Sequence, residues 1–400
     1  MRIGMMADLY TPHVSGVTNY IMLSKRHLEK VGHEVYVFTF GDLNYEDEEE
    51  NVVRSPGRPV LETGYYFSLR FSKDARKLLR TMDVVHVHHP FLSGTLALNF
   101  CRPRNIPIIF TNHTRYDLYA QHYLPVLPNV IGEAALDAFL PPFCRNCNLV
   151  IAPSRGMREV LYGFGVDVEV DVVPNGVYVK PFQNPTQTLE RAKFGFEGED
   201  IVLIYVGRLG PEKNLPFLLR SFAGAVQAYK NLGLMIVGDG PERENLEDRV
   251  KHMGIKDRVH FTGFVPYEQL PSHYGIADAF LTASVTEVHP LSVIEAMAAG
   301  LPVLGIESPG VGDTVEDGVT GFLIPDVELA AYTAKLVRLA TDHESRKRMG
   351  KKAAETAQMY AIENTTEMMV KRYERVLASP KKTQKGIRGL LARFSDRWRR

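Results

Sequence analysis

The stretch TEVHPLSVIEAMAAGLPVLG, residues 286–305, holds Glu287 and Glu295 with seven residues between them. Pro290 suits a first helical turn, where its fixed φ and missing N–H cost little, and Gly300-Leu301-Pro302 ends the helix. Glu287 then lies just before the helix and Glu295 on its second turn. Backbone N–H groups from His289 to Ser292 point out of the helix N-terminus, where the dipole favours an anion. A carboxylate beside an anion site is electrostatically out of place unless it binds something neutral, such as sugar hydroxyls. A nucleotide sugar, a diphosphate flanked by hydroxyls, meets both requirements.

Upstream, VGRLGPEKN (206–214) ends an apolar strand at Gly207, and Arg208 and Lys213 follow in the loop before a helix. Arg offers a planar fork and Lys a point charge, a pair suited to a pyrophosphate. Ligands of open α/β sheets bind beyond the carboxyl ends of the strands, where this loop lies. Alone, the loop reads equally as a surface turn with two ordinary cations.

The same rhythm runs through the chain. RIGMMA, EVYVFTF, VVHVHH (84–89), PIIFTNH (107–113) and NLVIAPS (148–154) read as buried strands alternating with helices, the first helix over 17–31. A polar break, PFQNPTQTLERAKFGFEGED (181–200), follows. IVLIYVG, LGLMIVG, VHFTGF, AFLTAS and PVLGI then supply five more strands. The pattern predicts two doubly wound, Rossmann-like α/β domains: 1–180 for an acceptor and 181–359 for a nucleotide sugar. A helix over 360–380 returns to the first domain, and 381–400 forms a separate tail.

GRLGPEK and EVHPLSVIEAMAAGLPV together resemble the two signatures of glycosyltransferase family 4, and PHVSGVTNY, IAPS (151–154), VVPNGV (172–177) and VGDGPE (237–242) match in order. The resemblance covers about residues 1–375 and implies a GT-B fold and a retaining, metal-independent transferase. By the resemblance, Arg208 and Lys213 neutralise the departing diphosphate, Glu295 holds the ribose diol, Glu287 binds hydroxyls of the transferred sugar, and Gly16 offers backbone to phosphate or sugar. Gly238, Gly263, Phe264, Val265, His289, Leu291 and Ser292 complete the donor contacts. His113, at a strand's carboxyl end, falls beside the transferred sugar. Two departures stand out: Ser15-Gly16 replaces a glycine pair, and Val288-His289-Pro290 replaces Gly-Phe-Gly. The second keeps the N–H of His289 and removes that of residue 290.

HHPF and NHTRYDLY also resemble the subgroup that glucosylates diacylglycerol. That favours UDP-glucose as donor and 1,2-diacylglycerol as acceptor, with His88, His89, Tyr116 and Asp117 at the acceptor; Asp117 either orients a hydroxyl or pairs with Arg115. A soluble acceptor, mannosyl transfer from GDP-mannose, and a non-catalytic nucleotide-sugar binding protein are the alternatives. His86, His88 and His89 cluster, yet no carboxylates stand at ligand spacing for a metal, and no cofactor is expected. Cys144 and Cys147 form a CxxC that closes a segment instead of opening a helix, which disfavours a redox role.

The 400 residues carry 47 Lys plus Arg against 47 Asp plus Glu, but residues 381–400 alone hold eight of the cations and one Asp. The rest has a balance of −7, so the tail calls for an anionic partner. Ile387, Leu390, Leu391, Phe394 and Trp398 share one helical face, flanked by Lys385, Arg388, Arg393, Arg397, Arg399 and Arg400. A basic amphipathic helix of this kind suits an anionic membrane surface; a disordered basic tail and a nucleic-acid arm are the alternatives, the last disfavoured by the apolar face. YYFSLRFSKDARKLLR (65–80) reads either as a second membrane-facing segment or as a packed helix with a solvated basic face. The acidic run NYEDEEEN (44–51) reads as a solvated loop. With three cysteines, no signal peptide and no apolar run long enough to span a bilayer, the expectation is a cytoplasmic protein held peripherally at the membrane.

Overall fold

The structure, a computed structural model, describes residues 1–59, 66–68, 70–118 and 129–379, the last stretch with its side chains from 134 on. The tail 381–400, with Lys385, Arg388, Leu391, Phe394 and Trp398, lies outside the described residues.

Two parallel sheets organise the chain. The first is built from β1 (Arg2–Met6), β2 (Glu34–Phe40), β3 (Val52–Ser55), β6 (Val84–Val87), β7 (Ile108–Thr111), β8 (Leu149–Ala152) and β9 (Val170–Val172); a small antiparallel hairpin, β4 (Arg58–Pro59) with β5 (Tyr66–Phe67), interrupts the series. The second comprises β10 (Ile201–Val206), β11 (Leu232–Val237), β12 (Val259–Gly263), β13 (Ala279–Leu281), β14 (Val303–Ile306) and β15 (Gly321–Ile324). Their orders are β3-β2-β1-β6-β7-β8-β9 and β12-β11-β10-β13-β14-β15, and every neighbouring pair is parallel. Central strands such as LVIA and LGLMIV are buried on both faces, as helix-covered parallel strands must be. This is the GT-B fold, two Rossmann-like units.

Strand order reverses between β1 and β6 in the first sheet and between β10 and β13 in the second. Such switch points open a crevice at the strands' carboxyl ends. The loops there are 7–15 and 88–91 in the first sheet, and 207–214 and 282–290 in the second. These loops carry His88, His89, Arg208, Lys213, Glu287 and His289.

The two units share an apolar core. One buried cluster runs from Ile3, Val37 and Ile109 through Val177, Val179 and Phe182 to Ile204, Ile294 and Tyr360. The helix Ile362–Ala378 returns to the first sheet: Tyr373 bonds His86, and Arg372 and Arg375 pair with Asp171. Gly176 is glycine by necessity, since a Cβ there would meet Thr365 Oγ1 at 2.0 Å and Ile362 Cα at 3.0 Å. The backbone of Val177 and Ile362 closes this crossing, with Ile362 N donating to Val177 O at 2.8 Å.

The acidic run 44–51 differs from its expectation as a solvated loop. Asp47 accepts from Arg54 Nε at 2.8 Å and from the Thr11 hydroxyl at 3.0 Å, and Glu49 pairs with Arg26 and Lys25. Both carboxylates are largely buried, so this run fastens the loop after β1.

Candidate active site

In the second sheet, backbone contacts set the geometry of the crevice. Gly207 N donates to Val237 O, Leu209 N to Asp239 O, and Gly238 N to Gly263 O, so the loops after β10, β11 and β12 are stapled edge to edge. Gly238 has φ +133°, and a Cβ there would lie 2.0 Å from Gly207 O. Only glycine allows that approach.

From this frame Lys213 reaches Glu287, Nζ to Oε1, at 2.7 Å, with 22% and 18% of the two side chains exposed. Burial pulls the Lys213 ammonium down, but Glu287, Tyr205 and Glu212 outweigh it and hold the pKa above its ordinary value. The side chain is therefore a fixed cation. Arg208 lies 3.8 Å from the buried carboxylate of Glu212, whose backbone carbonyl accepts from the Ser284 hydroxyl. Two cations and two carboxylates thus meet on the loops flanking the β10/β13 switch point.

The helix over Leu291–Ala298 starts later than the sequence suggests: Pro290 is its N-cap, not part of its first turn, and no side chain caps it. Its first turn carries no acidic residue. Leu291 is buried and Ser292 half-buried. Glu295, on the second turn, is 3% exposed and accepts from the Tyr274 hydroxyl at 3.0 Å. Burial pushes its carboxyl up to about 7, against the opposing pull of the Tyr274 and Tyr267 hydroxyls. In the segment after β12, Gly263 has φ +76°, Phe264 is exposed and Val265 packs on the core.

His289 turns away from the crevice. Its Nδ1 accepts from Asn175 N at 3.3 Å, its carbonyl accepts from Asn175 Nδ2 at 2.8 Å, and its ring meets Tyr360 edge-on at 5.1 Å. Burial lowers the imidazole to about 3. The residue that departs from the Gly-Phe-Gly pattern therefore ties the 282–290 loop to the crossing segment.

In the first sheet, Ser15 caps the helix Gly16–Lys30 with a reciprocal capping box to Thr18. Gly16 is exposed, with open space where a Cβ would point. His13, in the loop after β1, lies near enough to Arg208 to feel its charge: burial first, then Arg208, holds the imidazole below its ordinary range. Sequence reasoning passed over His13; its position after β1 was the available signal. Asp8, also passed over, accepts from the N–H groups of Leu92 (3.3 Å) and Ser93 (2.6 Å) at the start of the helix Leu92–Phe100.

His113 is 7% exposed, and its Nε2 lies 3.1 Å from His88 Nδ1. The expected acceptor residues have internal partners. His88 is completely buried against His113, His89 Nδ1 accepts from Asp8 N at 3.3 Å, and Asp117 forms a two-pronged ion pair with Arg115. Of the two readings left open for Asp117, the structure shows the ion pair. Tyr116 packs edge-on to the exposed Phe91 at 4.9 Å. His86 is held between Tyr373 and Thr111. Among the described residues, no three His, Cys, Asp or Glu side chains converge as metal ligands. Cys144 and Cys147 are buried and unbonded to each other; burial pushes the Cys144 thiol up to about 12 and Cys147 well above its ordinary value.

The profile for Glycosyltransferase Family 4 matches residues 14–180, and that for Glycosyl transferases group 1 matches residues 186–356. An α-monoglucosyldiacylglycerol synthase of Acholeplasma laidlawii is 32% identical over 383 residues, 91% of this chain and 94% of that one. The chain belongs to glycosyltransferase family 4. A synthase of the same name from Streptococcus pneumoniae is 31% identical to this glycosyltransferase, across 81% of it and 75% of the relative. Anabaena HepE, solved with UDP and glucose, aligns with a TM-score of 0.76 at 17% identity, over 94% of this chain and 100% of its own, a likeness of fold. No helix among the described residues of this glycosyltransferase is long and apolar enough to cross a membrane.

Proposed function

We propose that this glycosyltransferase moves glucose from UDP-glucose to the free hydroxyl of 1,2-diacylglycerol, with retention of configuration and without a metal. The observation that carries the reading is the Lys213–Glu287 pair, set beside Arg208 at the second sheet's switch point. Arg208 and Lys213 take the charge that develops on the diphosphate as its bond to the sugar C1 breaks. Glu287, released from Lys213 as phosphate takes its place, accepts from sugar hydroxyls. Glu295 accepts from the ribose diol. The acceptor oxygen bonds C1 on the face the diphosphate leaves, and its proton passes to a diphosphate oxygen.

Glucose and diacylglycerol come from the names of the two synthases, which this chain matches along most of its length. A lipid acceptor requires contact with a bilayer. The basic amphipathic tail supplies one anchor in this reading. A second is an open cleft of about 910 Å³ lined by Arg58, Arg70, Lys73 and Arg76 with Phe67 and Phe71. Cations over apolar side chains suit an interface with anionic lipid.

The test is a donor panel with chelator present, using vesicles that contain diacylglycerol, followed by NMR of the glycolipid. An α-glucosyl product from UDP-glucose is expected. A product only from GDP-mannose, or a β-linked one, would overturn the donor or the stereochemical assignment respectively.

A further inference from the structure

The family resemblance puts His113 beside the transferred sugar, and the transfer proposed above leaves it and the buried groups behind it without a task. The structure assigns one: we propose that His88 is a positioning residue, which fixes His113 in its Nδ1–H tautomer and so presents a hydrogen-bond donor to a hydroxyl of the transferred sugar.

Counting protons decides between the two tautomers. His88 Nδ1 and His113 Nε2 stand 3.1 Å apart, and both rings are more than nine-tenths buried. Burial, with the neighbouring histidines, holds both well below their ordinary range, so each ring is neutral and carries a single N–H. One proton lies between them, in one of two arrangements. If His113 Nε2 donates, His88 must carry its own proton on Nε2. That atom is buried and has no hydrogen-bond partner, so the arrangement strands an N–H in the core. If His88 Nδ1 donates, its Nε2 keeps only a bare lone pair, and the His113 proton sits on Nδ1. A stranded donor is the rarer fault in folded proteins, and the network selects the second arrangement.

The surroundings keep His88 from turning over. Its ring lies 4.2 Å from that of His86, centroid to centroid. His86 is itself fixed at both nitrogens, by the Tyr373 hydroxyl at 2.8 Å and the Thr111 hydroxyl at 2.7 Å. Tyr20 packs on the other members, 5.7 Å from His88 and 4.6 Å from His113. Among the described residues no hydrogen bond reaches His113 Nδ1, which leaves that N–H for a ligand. The helix carrying Tyr373 thus holds His86 in place, and His88 packs against that fixed ring.

The proposal rests on the transferase reading for its consequence and not for its geometry, and the test has an arm for each. In the full chain labelled with ¹⁵N-histidine, long-range nitrogen–proton correlation reports which ring nitrogen of His113 is protonated, with no substrate present. Nδ1–H is expected; Nε2–H overturns the proposal. In the kinetic arm, His88→Leu lowers kcat about 10–100-fold, as loss of an orienting partner does for metal-bound histidines, with donor KM changed less than about threefold. His88→Asn, whose amide N–H takes the place of Nδ1–H, recovers most of kcat. If both variants melt with the wild type and His88→Asn is as slow as His88→Leu, the proposal fails. Inactivity of the wild type on every donor would count against the transferase reading alone.

Discussion

Replacing Lys213 with alanine separates two roles that the structure gives one side chain. At rest it neutralises Glu287 at 2.7 Å, with about four-fifths of both side chains buried. Losing one partner of a fully buried pair costs about 3–5 kcal/mol, and exposed pairs are worth under about 1. This intermediate burial places the stability cost at about 2 kcal/mol. During the reaction the ammonium faces a leaving diphosphate. A unit charge ~4 Å from a phosphate oxygen, at an effective dielectric of ~20, contributes ~4 kcal/mol. Were all of it specific to the transition state, the rate would fall ~10³-fold; part of the attraction exists in the bound substrate, so ~10²–10³-fold is expected. The assay is nucleotide release at saturating donor, alongside thermal melting. Lys213→Arg should recover part of the rate, since it restores charge at a different reach. Glu287→Gln, combined with Lys213→Ala, gives the coupling in stability by a double-mutant cycle. A folded Lys213→Ala enzyme with half the wild-type rate or more would refute the phosphate assignment.

Glu295 predicts a pH dependence. Its folded pKa of about 7 exceeds the ordinary carboxyl value, so the folded state keeps a proton that the unfolded chain releases. Its contribution is present at low pH and is lost as pH rises from about 4.5 to 7. UDP-glucose affinity should run the other way, weakening below pH 7 by up to about tenfold per unit, because the ribose diol needs the carboxylate; calorimetry on Glu295→Gln should show a flat profile in that range. Gly238→Ala must relieve a 2.0 Å approach to Gly207 O at φ +133°; a loss of about 2–4 kcal/mol, roughly 5–10 °C in Tm, is expected by calorimetric melting. The buried thiols of Cys144 and Cys147 should resist alkylation in the native chain at pH 8, and Cys144→Ala should leave donor turnover unchanged; rapid native labelling would contradict the burial.

Much of the fold was legible because central parallel strands are short apolar runs between glycines and helices. In the two parallel sheets the strands passed over were β3, β9 and β15, which all lie at sheet edges; the short hairpin β4–β5 was passed over too. VVRS and VDV are only partly buried, so their apolar signal is weak. The Glu287 and Lys213 stretches were legible because each is local, a loop and the helix it feeds. What was not legible depends on distant residues meeting. His88 joins His113 only once β6 lies beside β7, and Tyr373 reaches His86 across 287 positions. The run 44–51 looked solvated because nothing in sequence places Arg54 and Arg26 around it. The ring of His289 meets Asn175 and Tyr360, residues distant in sequence, so its place in the loop could not be read locally.

The central claim is lipid-dependent transfer from a nucleotide sugar, and nucleotide release tests it most directly. The full chain is mixed with UDP-glucose and chelator in anionic micelles, with and without 1,2-diacylglycerol. The account predicts UDP release that requires the diacylglycerol and is lost in Arg208→Ala and Lys213→Ala. Release at the same rate without the lipid, or undiminished in both variants, would contradict it.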